Sequence, residues 1–410
     1  MLINKHSPNY RWYILVLTMV TYGLITGASR MCMPVLFKQI SDDLGLSLVA
    51  IGTVWGMDPL AGVFIGLLGG LIADRFGIRR TLLVVCITAG IFGAMRGLSV
   101  NFFSMAATMF LFGLAVASTP IILPKVTTLW FSGKQLAMAN ALLNVAWGAG
   151  SMMAMMFSAT VFSDWLGGWR HVLFMYGIPA IILGILWITT GRDPEKDQLS
   201  DTLVRAVPFR EAFSHVIRIK KVWTLGIINM ALWGATTGMI GYLAIYLRNI
   251  GWTEVNADSA MTIMSGVNTL GVLPVVMMAQ RTSQKWVLVL AFAAMAMMMI
   301  LIPFVNSAGV WILIVFGSFL RSGTFPLINV IIFETKGIGS VYSGTAVGLV
   351  TTIGMLGAFA APPLGSSLAT VNHPGLPLVF WGCLTIAAIP LLLIVKTKTN
   401  RERQASVGIG

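Results

Sequence analysis

Apolar residues in this chain come in long unbroken runs separated by short polar connections. Twelve such runs can be marked, at residues 13–37, 48–73, 81–98, 103–128, 136–162 and 171–190, and again at 222–247, 259–279, 286–305, 310–333, 343–369 and 374–395. Each is long enough to cross the hydrocarbon of a bilayer as a helix, which needs about 20 residues. Inside lipid a single segment satisfies its own backbone only as a helix, so the pattern predicts twelve helical spans. Almost nothing is left over for a soluble domain.

One polar stretch is much longer than the other connections. It begins Arg192-Asp-Pro-Glu-Lys-Asp and divides the chain into residues 1–191, a linker at 192–221, and residues 222–410. Within it, residues 208–221 place Phe209, Phe213, Val216 and Ile217 on one helical face, which predicts an interfacial helix lying on the membrane surface. A plain tether is the alternative. An internal repeat supports the division. Gly23-Leu-Ile-Thr26-Gly27 in the first run answers to Gly234-Ala-Thr-Thr237-Gly238 in the seventh. Pro120 and Gly148 are 28 residues apart, as are Pro326 and Gly354. The matches keep their order in both halves, the mark of a duplicated unit.

Composition agrees with the pattern. Hydrophobic residues make up 57% of the 410 residues, charged residues only 10%, and the mean hydropathy is +0.86; a soluble domain carries about 25% charge. The net charge of +13 does not form a continuous basic face. It punctuates the apolar runs, which argues against a nucleic-acid partner and for bias toward one side of a bilayer. Lys5, Arg11, Arg75, Arg79, Arg80, Lys134, the linker, Arg281, Lys285, Lys336 and the basic tail fall on one side. Lys38, Arg170 and Arg248 fall on the other with Asp42, Asp43, Asp164, Glu254 and Asp258, and Arg96 lies near that edge. The excess puts both termini in the cytoplasm. Cys32, Cys86 and Cys383 all lie inside apolar runs and read as small core residues. The basic start before the first run lacks a cleavage site and reads as a retained helix.

The connection between the second and third runs is the most specific motif: Gly70-Leu-Ile-Ala-Asp74-Arg75-Phe-Gly77-Ile-Arg79-Arg80. It resembles the loop between helices two and three of the major facilitator superfamily. The resemblance implies an all-α integral membrane fold of twelve transmembrane helices in two pseudo-symmetric six-helix bundles. It also implies a conformational gate formed by Gly70, Asp74, Arg75, Gly77, Arg79 and Arg80, in which Asp74 meets a helix end or basic group of the other half. The corresponding place in the second half, Val276 to Trp286, keeps only the basic residues. Leu123-Pro124-Lys125 through Trp130-Phe131 looks like the cyanate-permease-like and related organic-anion transporters of that superfamily.

Charged side chains inside spans are costly, about 2.5–3.5 kcal/mol each on insertion scales, and call for a reason. Four stand out: Arg30, Asp58, Lys125 and Arg321. Arg321 sits near the middle of the tenth run, too deep to snorkel, with no acid within a turn or two. By the resemblance, spans one, four, seven and ten line the central cavity, which makes Arg321 the first candidate for substrate binding and Arg30 the second. Asp58 comes to a similar depth as Arg30, counting about 1.5 Å per residue, so the two form either a structural ion pair or a coupling pair that substrate or a proton opens. Lys125 either joins that relay or snorkels. Tyr22, Trp55, Trp147, Trp233, Tyr242 and Phe325 can wall a site, with packing as the alternative, and Asn144, Asn229, Asn268 and Asn329 can supply hydrogen bonds, with interhelical bonding as theirs.

Three bases against one acid leave a positive surplus that an anion would neutralise, and guanidinium groups take carboxylates in bidentate fashion. The chain therefore reads as a secondary transporter, working as a monomer in a bacterial or archaeal cytoplasmic membrane. It moves a small organic anion by alternating access, with proton symport or anion exchange. Efflux of amphiphilic or cationic compounds is one alternative, although the fifth run lacks the Gly-Pro signature of drug antiporters; a non-transporting sensor on the same fold is another. No enzyme is expected: catalytic constellations are absent, His6, His171, His215 and His373 lack metal-ligand spacing, and there is no phosphate loop or other cofactor motif. Asp74→Asn is expected to shift the resting conformation without changing which anion is recognised; unaltered cytoplasmic accessibility in cysteine labelling would refute the gate.

Overall fold

A computed structural model describes residues 10–65, 77–191 and 209–395. Among them are twelve helices long and apolar enough to cross a membrane: Tyr10–Leu44, Leu48–Ile65, Ile78–Leu98, Phe102–Trp130, Gly133–Leu166 and Trp169–Thr190, then Lys220–Asn249, Glu254–Arg281, Gln284–Phe304, Ser307–Phe333, Val341–Ser366 and Leu376–Ile394. They are called the first to twelfth spans below. Several run past the apolar limits read from the sequence. The first continues to Leu44 because its last turns, though polar, hold an i,i+4 pair in which Lys38 Nζ lies 2.6 Å from Asp42 Oδ2, and Gly45 then stops it in the left-handed conformation.

The helices divide into two compact units. One holds the first six spans together with Ile250–Thr262, the start of the eighth. Its main pairings are third with sixth, second with fourth, and first with fifth. Leu82, Cys86, Phe112, Ile122 and Trp187 are buried together at its core. The first and fifth spans touch backbone to backbone: a Cβ on Gly27 would meet Trp147 O at 2.7 Å, and one on Gly150 would collide with the carbonyl of Gly23. Only glycine permits that approach.

Of the described residues, the other unit holds 209–249 and 263–395. Its seventh span pairs most extensively with the eleventh, and its ninth with the twelfth. The repeated glycines do the same work as in the first unit: a Cβ on Gly234 would meet Gly357 O at 2.9 Å. Phe292, Met295, Met299 and Trp381 are buried at its centre. From the linker, Phe209–Val216 is helical and packs on the start of the eleventh span, with Ala212 and Val216 buried. His215 stacks on Tyr342 at 4.3 Å and, because a carbonyl only accepts, donates its Nε2–H to Gly337 O at 2.8 Å.

Gly150→Ala is expected to destabilise the first unit by more than the ~1 kcal/mol scale of helix propensity, since Ala itself favours helix. Gly344→Ala, in a helix with nothing near the added methyl, serves as control and should be neutral or stabilising. Thermal unfolding in detergent reads both.

Candidate functional site

The fourth and tenth spans are each interrupted at the same kind of place. The fourth turns out of α-helix at Ala117 and Ser118 and resumes at Thr119; the tenth turns at Ser322 and Gly323 and resumes at Thr324. Backbone angles at the hinge residues nearly coincide, φ −83 and ψ −15 at Ser118, φ −83 and ψ −5 at Gly323. Proline is the cause in both: Pro120 and Pro326 lack an N–H and press on the carbonyl four residues back. In the fourth span the freed carbonyl is satisfied locally, Thr119 Oγ1 donating to Val116 O at 2.7 Å; at the tenth-span break Thr324 Oγ1 donates to Arg321 O at 2.8 Å, one residue before the carbonyl that Pro326 frees.

These breaks sit beside the charged residues. Arg321 is the last helical residue before the tenth-span break, half-buried, and among the described residues its guanidinium has neither an ion-pair nor a hydrogen-bond partner. The eighth span crosses there, where a Cβ on Gly271 would meet Ser322 Oγ at 2.7 Å. Phe325, half exposed, follows one turn later, with its ring 6.3 Å from that of Trp233 in the seventh span. Asn329 lies a turn further on and is half-buried. Trp233 and Phe325 are thus neighbours, and Arg321 and Asn329 lie within a few residues of Phe325 on the same span, all in one unit.

In the first unit, the hydrogen bond at the break reaches the first span. Thr119 has spent its one proton on Val116, so Thr26 donates to Thr119 Oγ1, at 2.9 Å. Thr26 belongs to a π-helical stretch, Tyr22–Ala28, and Arg30 is the second residue after it. Arg30 Nε pairs with Asp58 Oδ2, the side chains being 26% and 5% exposed. Asp58 lies where the second span meets the fourth, its backbone within 3 Å of where a Cβ on Gly113 would stand. Tyr22 packs against the core of this unit and lies within electrostatic reach of Arg30.

Other candidates are placed apart from these groups. Lys125 is half-buried in the fourth span and has a polar or electrostatic partner of its own. Trp55 is buried edge-on against Phe37 at 5.7 Å, and the Tyr242 hydroxyl donates to Pro374 O at 2.8 Å. Asn229 donates to Val350 O at 3.1 Å, tying the seventh span to the eleventh. Trp147 turns its carbonyl to Gly27, and Asn144 donates to its own helix at Asn140 O, 2.9 Å.

Of the gate motif, Gly70, Asp74 and Arg75 lie outside the described residues. Gly77 caps the third span at φ 82 and ψ 152, a conformation nearly closed to other residues. Arg79 donates to Ile188 O of the sixth span, and Arg80 is exposed.

One charged residue has a role that its depth does not reveal. Arg96 lies near the end of the third span, as its place near that edge in the sequence implies, and its side chain is 0% exposed. Its partners, at positions 29, 93, 109 and 112, come from three spans. The one local signal was the missing acid within reach along its own helix.

The Arg30–Asp58 contact predicts non-additivity. A cycle of Arg30→Gln, Asp58→Asn and the double variant should give a coupling of about 1–3 kcal/mol in unfolding experiments; additivity within ~0.5 kcal/mol would mean the contact contributes nothing.

The sequence profile of the Major Facilitator Superfamily matches residues 18–343 and, in a second match, 249–408. Among known proteins, the chain is 25% identical over 411 residues to the cis,cis-muconate transport protein of Acinetobacter baylyi, covering 96% of this chain and 97% of that one. It is 28% identical over 203 residues to a probable galactarate/D-glucarate transporter, GudP, of Bacillus subtilis, a match to 46% of this chain and 42% of that one. Solute carrier family 22 member 7 of Bos taurus is 24% identical over 381 residues, 82% of this chain and 66% of the other. Two solved structures share the fold. A bacterial homolog of the human lysosomal transporter Spinster, inward-facing and occupied, has a TM-score of 0.75 at 14% identity, covering 95% of this chain and 97% of that one. The nucleoside transporter NupG gives 0.75 at 16%, covering 95% and 100%. With its twelve apolar helices and a profile match across nearly its whole length, this chain is a multi-pass integral membrane protein and belongs to the Major Facilitator Superfamily.

Proposed function

We propose that this transporter carries a small carboxylate, of the dicarboxylate kind that muconate and galactarate are by constitution, and that Arg321 is its anchor. The observation that carries this reading is the guanidinium of Arg321. It lies within a membrane span, at a backbone break, with no ion-pair or hydrogen-bond partner among the described residues. A cation so placed is costly unless a ligand neutralises it. Carboxylates answer guanidinium with paired, charge-assisted hydrogen bonds. Relatives named for muconate and galactarate support the same class.

Trp233, Phe325 and Asn329 then flank the anchor. On the first unit, Arg30 is a second anion contact and Asp58 its modulator, with Tyr22 beside them and Lys125 further along the fourth span. Transport proceeds by alternating access, driven by proton symport or by anion exchange, with both termini in the cytoplasm. The motif around Asp74 and Arg75 acts as gate.

Uptake of radiolabelled cis,cis-muconate and galactarate into proteoliposomes tests the reading. Accumulation of either supports it; binding without accumulation would indicate a sensor. Arg321→Ala should weaken apparent affinity roughly 10- to 100-fold, the scale of one or two hydrogen bonds to a charged group. Arg321→Lys should recover only part of that, because an ammonium lacks the planar fork. Wild-type affinity in Arg321→Ala would remove Arg321 from the site.

A further inference from the structure

The guanidinium of Arg96 has no place in the anion reading so far, and its surroundings define a task for it. Nε donates to Gly93 O at 3.1 Å, Nη2 to Ser29 O at 2.9 Å, Nη1 lies 3.8 Å from Met109 Sδ, and the group sits 4.0 Å over the ring of Phe112. None of these partners is charged. A guanidinium wholly removed from water nevertheless needs a counter-charge, since the residual desolvation cost is several kcal/mol. The titratable groups whose field reaches it are the Cys32 thiol and the Asp58 carboxylate, and Asp58 is the one already engaged in an ion pair. The geometry is consistent: Arg96 bonds the carbonyl of Ser29, next to the Arg30 that pairs with Asp58, and stacks on Phe112, next to the Gly113 against which Asp58 packs.

One buried carboxylate thus lies in the field of two guanidinium groups, one of them in contact, and the trio carries a net charge of +1. Its members differ in access. Arg96 is closed off at 0% exposure and the Asp58 side chain at 5%, whereas that of Arg30 is 26% exposed. Only Arg30 can turn toward a ligand. If Asp58 had Arg30 alone, each departure of Arg30 would leave a buried carboxylate unbalanced, a penalty the substrate would have to overcome.

We propose that Arg96 is a positioning residue that supplies the standing positive charge for Asp58, so that Arg30 can pass from Asp58 to one substrate carboxylate while the buried acid stays balanced. This rests on the carboxylate reading above. It makes the net charge of the trio, and not the shape of Arg96, the quantity that sets affinity on this unit.

Uptake of radiolabelled cis,cis-muconate into proteoliposomes by a charge series tests it. Arg96→Met brings the trio to 0 and should raise KM by about tenfold or more with a smaller change in kcat, the signature of lost binding. Arg96→Lys keeps the charge and should stay close to wild type. Arg96→Met with Asp58→Asn returns the trio to +1 and should bring KM back to within about threefold of wild type, which repair of packing alone would not do. Asp58→Asn alone gives +2 and should lower KM and kcat together, because the anion is held too well. Failure of the double variant to improve on Arg96→Met overturns the proposal. If Arg96→Met does not fold, Asp58→Asn decides, and an unchanged or raised KM overturns it. Uptake by wild type with no rescue refutes this inference alone; no muconate uptake by wild type overturns the carboxylate reading and this inference with it.

Discussion

A polar group taken out of water must find its partner inside the protein, and inside hydrocarbon that demand falls on every peptide bond as well as on each charge. Helices meet it for the backbone along most of each span. Where proline cancels a donor in the fourth span, a threonine hydroxyl three residues on takes over the stranded carbonyl, and a threonine bonds the backbone at the tenth-span break as well. Where a charge enters, as at Asp58, a guanidinium from a neighbouring helix pairs with it. The breaks and the charges are adjacent because both need the interior of a unit, away from lipid.

The two units solve their packing alike. In each, glycines of the leading span allow backbone contact with the span four places on, and the span with the break is crossed near it by the span two places before it. They differ in charge. The first unit sets an acid, Asp58, against two bases; the second presents Arg321 with no ion-pair partner among the described residues. A duplicated scaffold has thus been given unequal electrostatics.

How much of this could be read beforehand follows from how far apart the partners lie along the chain. The spans were legible because the bilayer imposes a length that no side-chain detail overrides. Their ends were not, since the polar turn from Lys38 to Leu44 is helical for reasons of pairing and capping that hydropathy does not register. Arg30 and Asp58 could be matched by depth, because a rise of about 1.5 Å per residue is the same in every helix. The burial of Arg96 was not legible, because counting along one helix cannot show that Ser29, Met109 and Phe112 close over it. The π-helical stretches at Tyr22–Ala28 and Ser158–Phe162 left no mark in the apolar pattern either.

The first of those stretches sets the azimuth of everything beyond it. A π turn takes one residue more than an α turn, and one residue in an α-helix is worth about 100° of rotation about the axis. The residues after Ala28 are therefore out of phase with those before Tyr22. Tyr10 to Thr21 and Ser29 to Leu44 present faces that a uniform helix would never align, and Arg30 meets Asp58 only on the shifted one. A change of chain length by one residue between Tyr22 and Ala28 would leave the composition and hydropathy of the first span almost untouched, yet point its charge at a different neighbour.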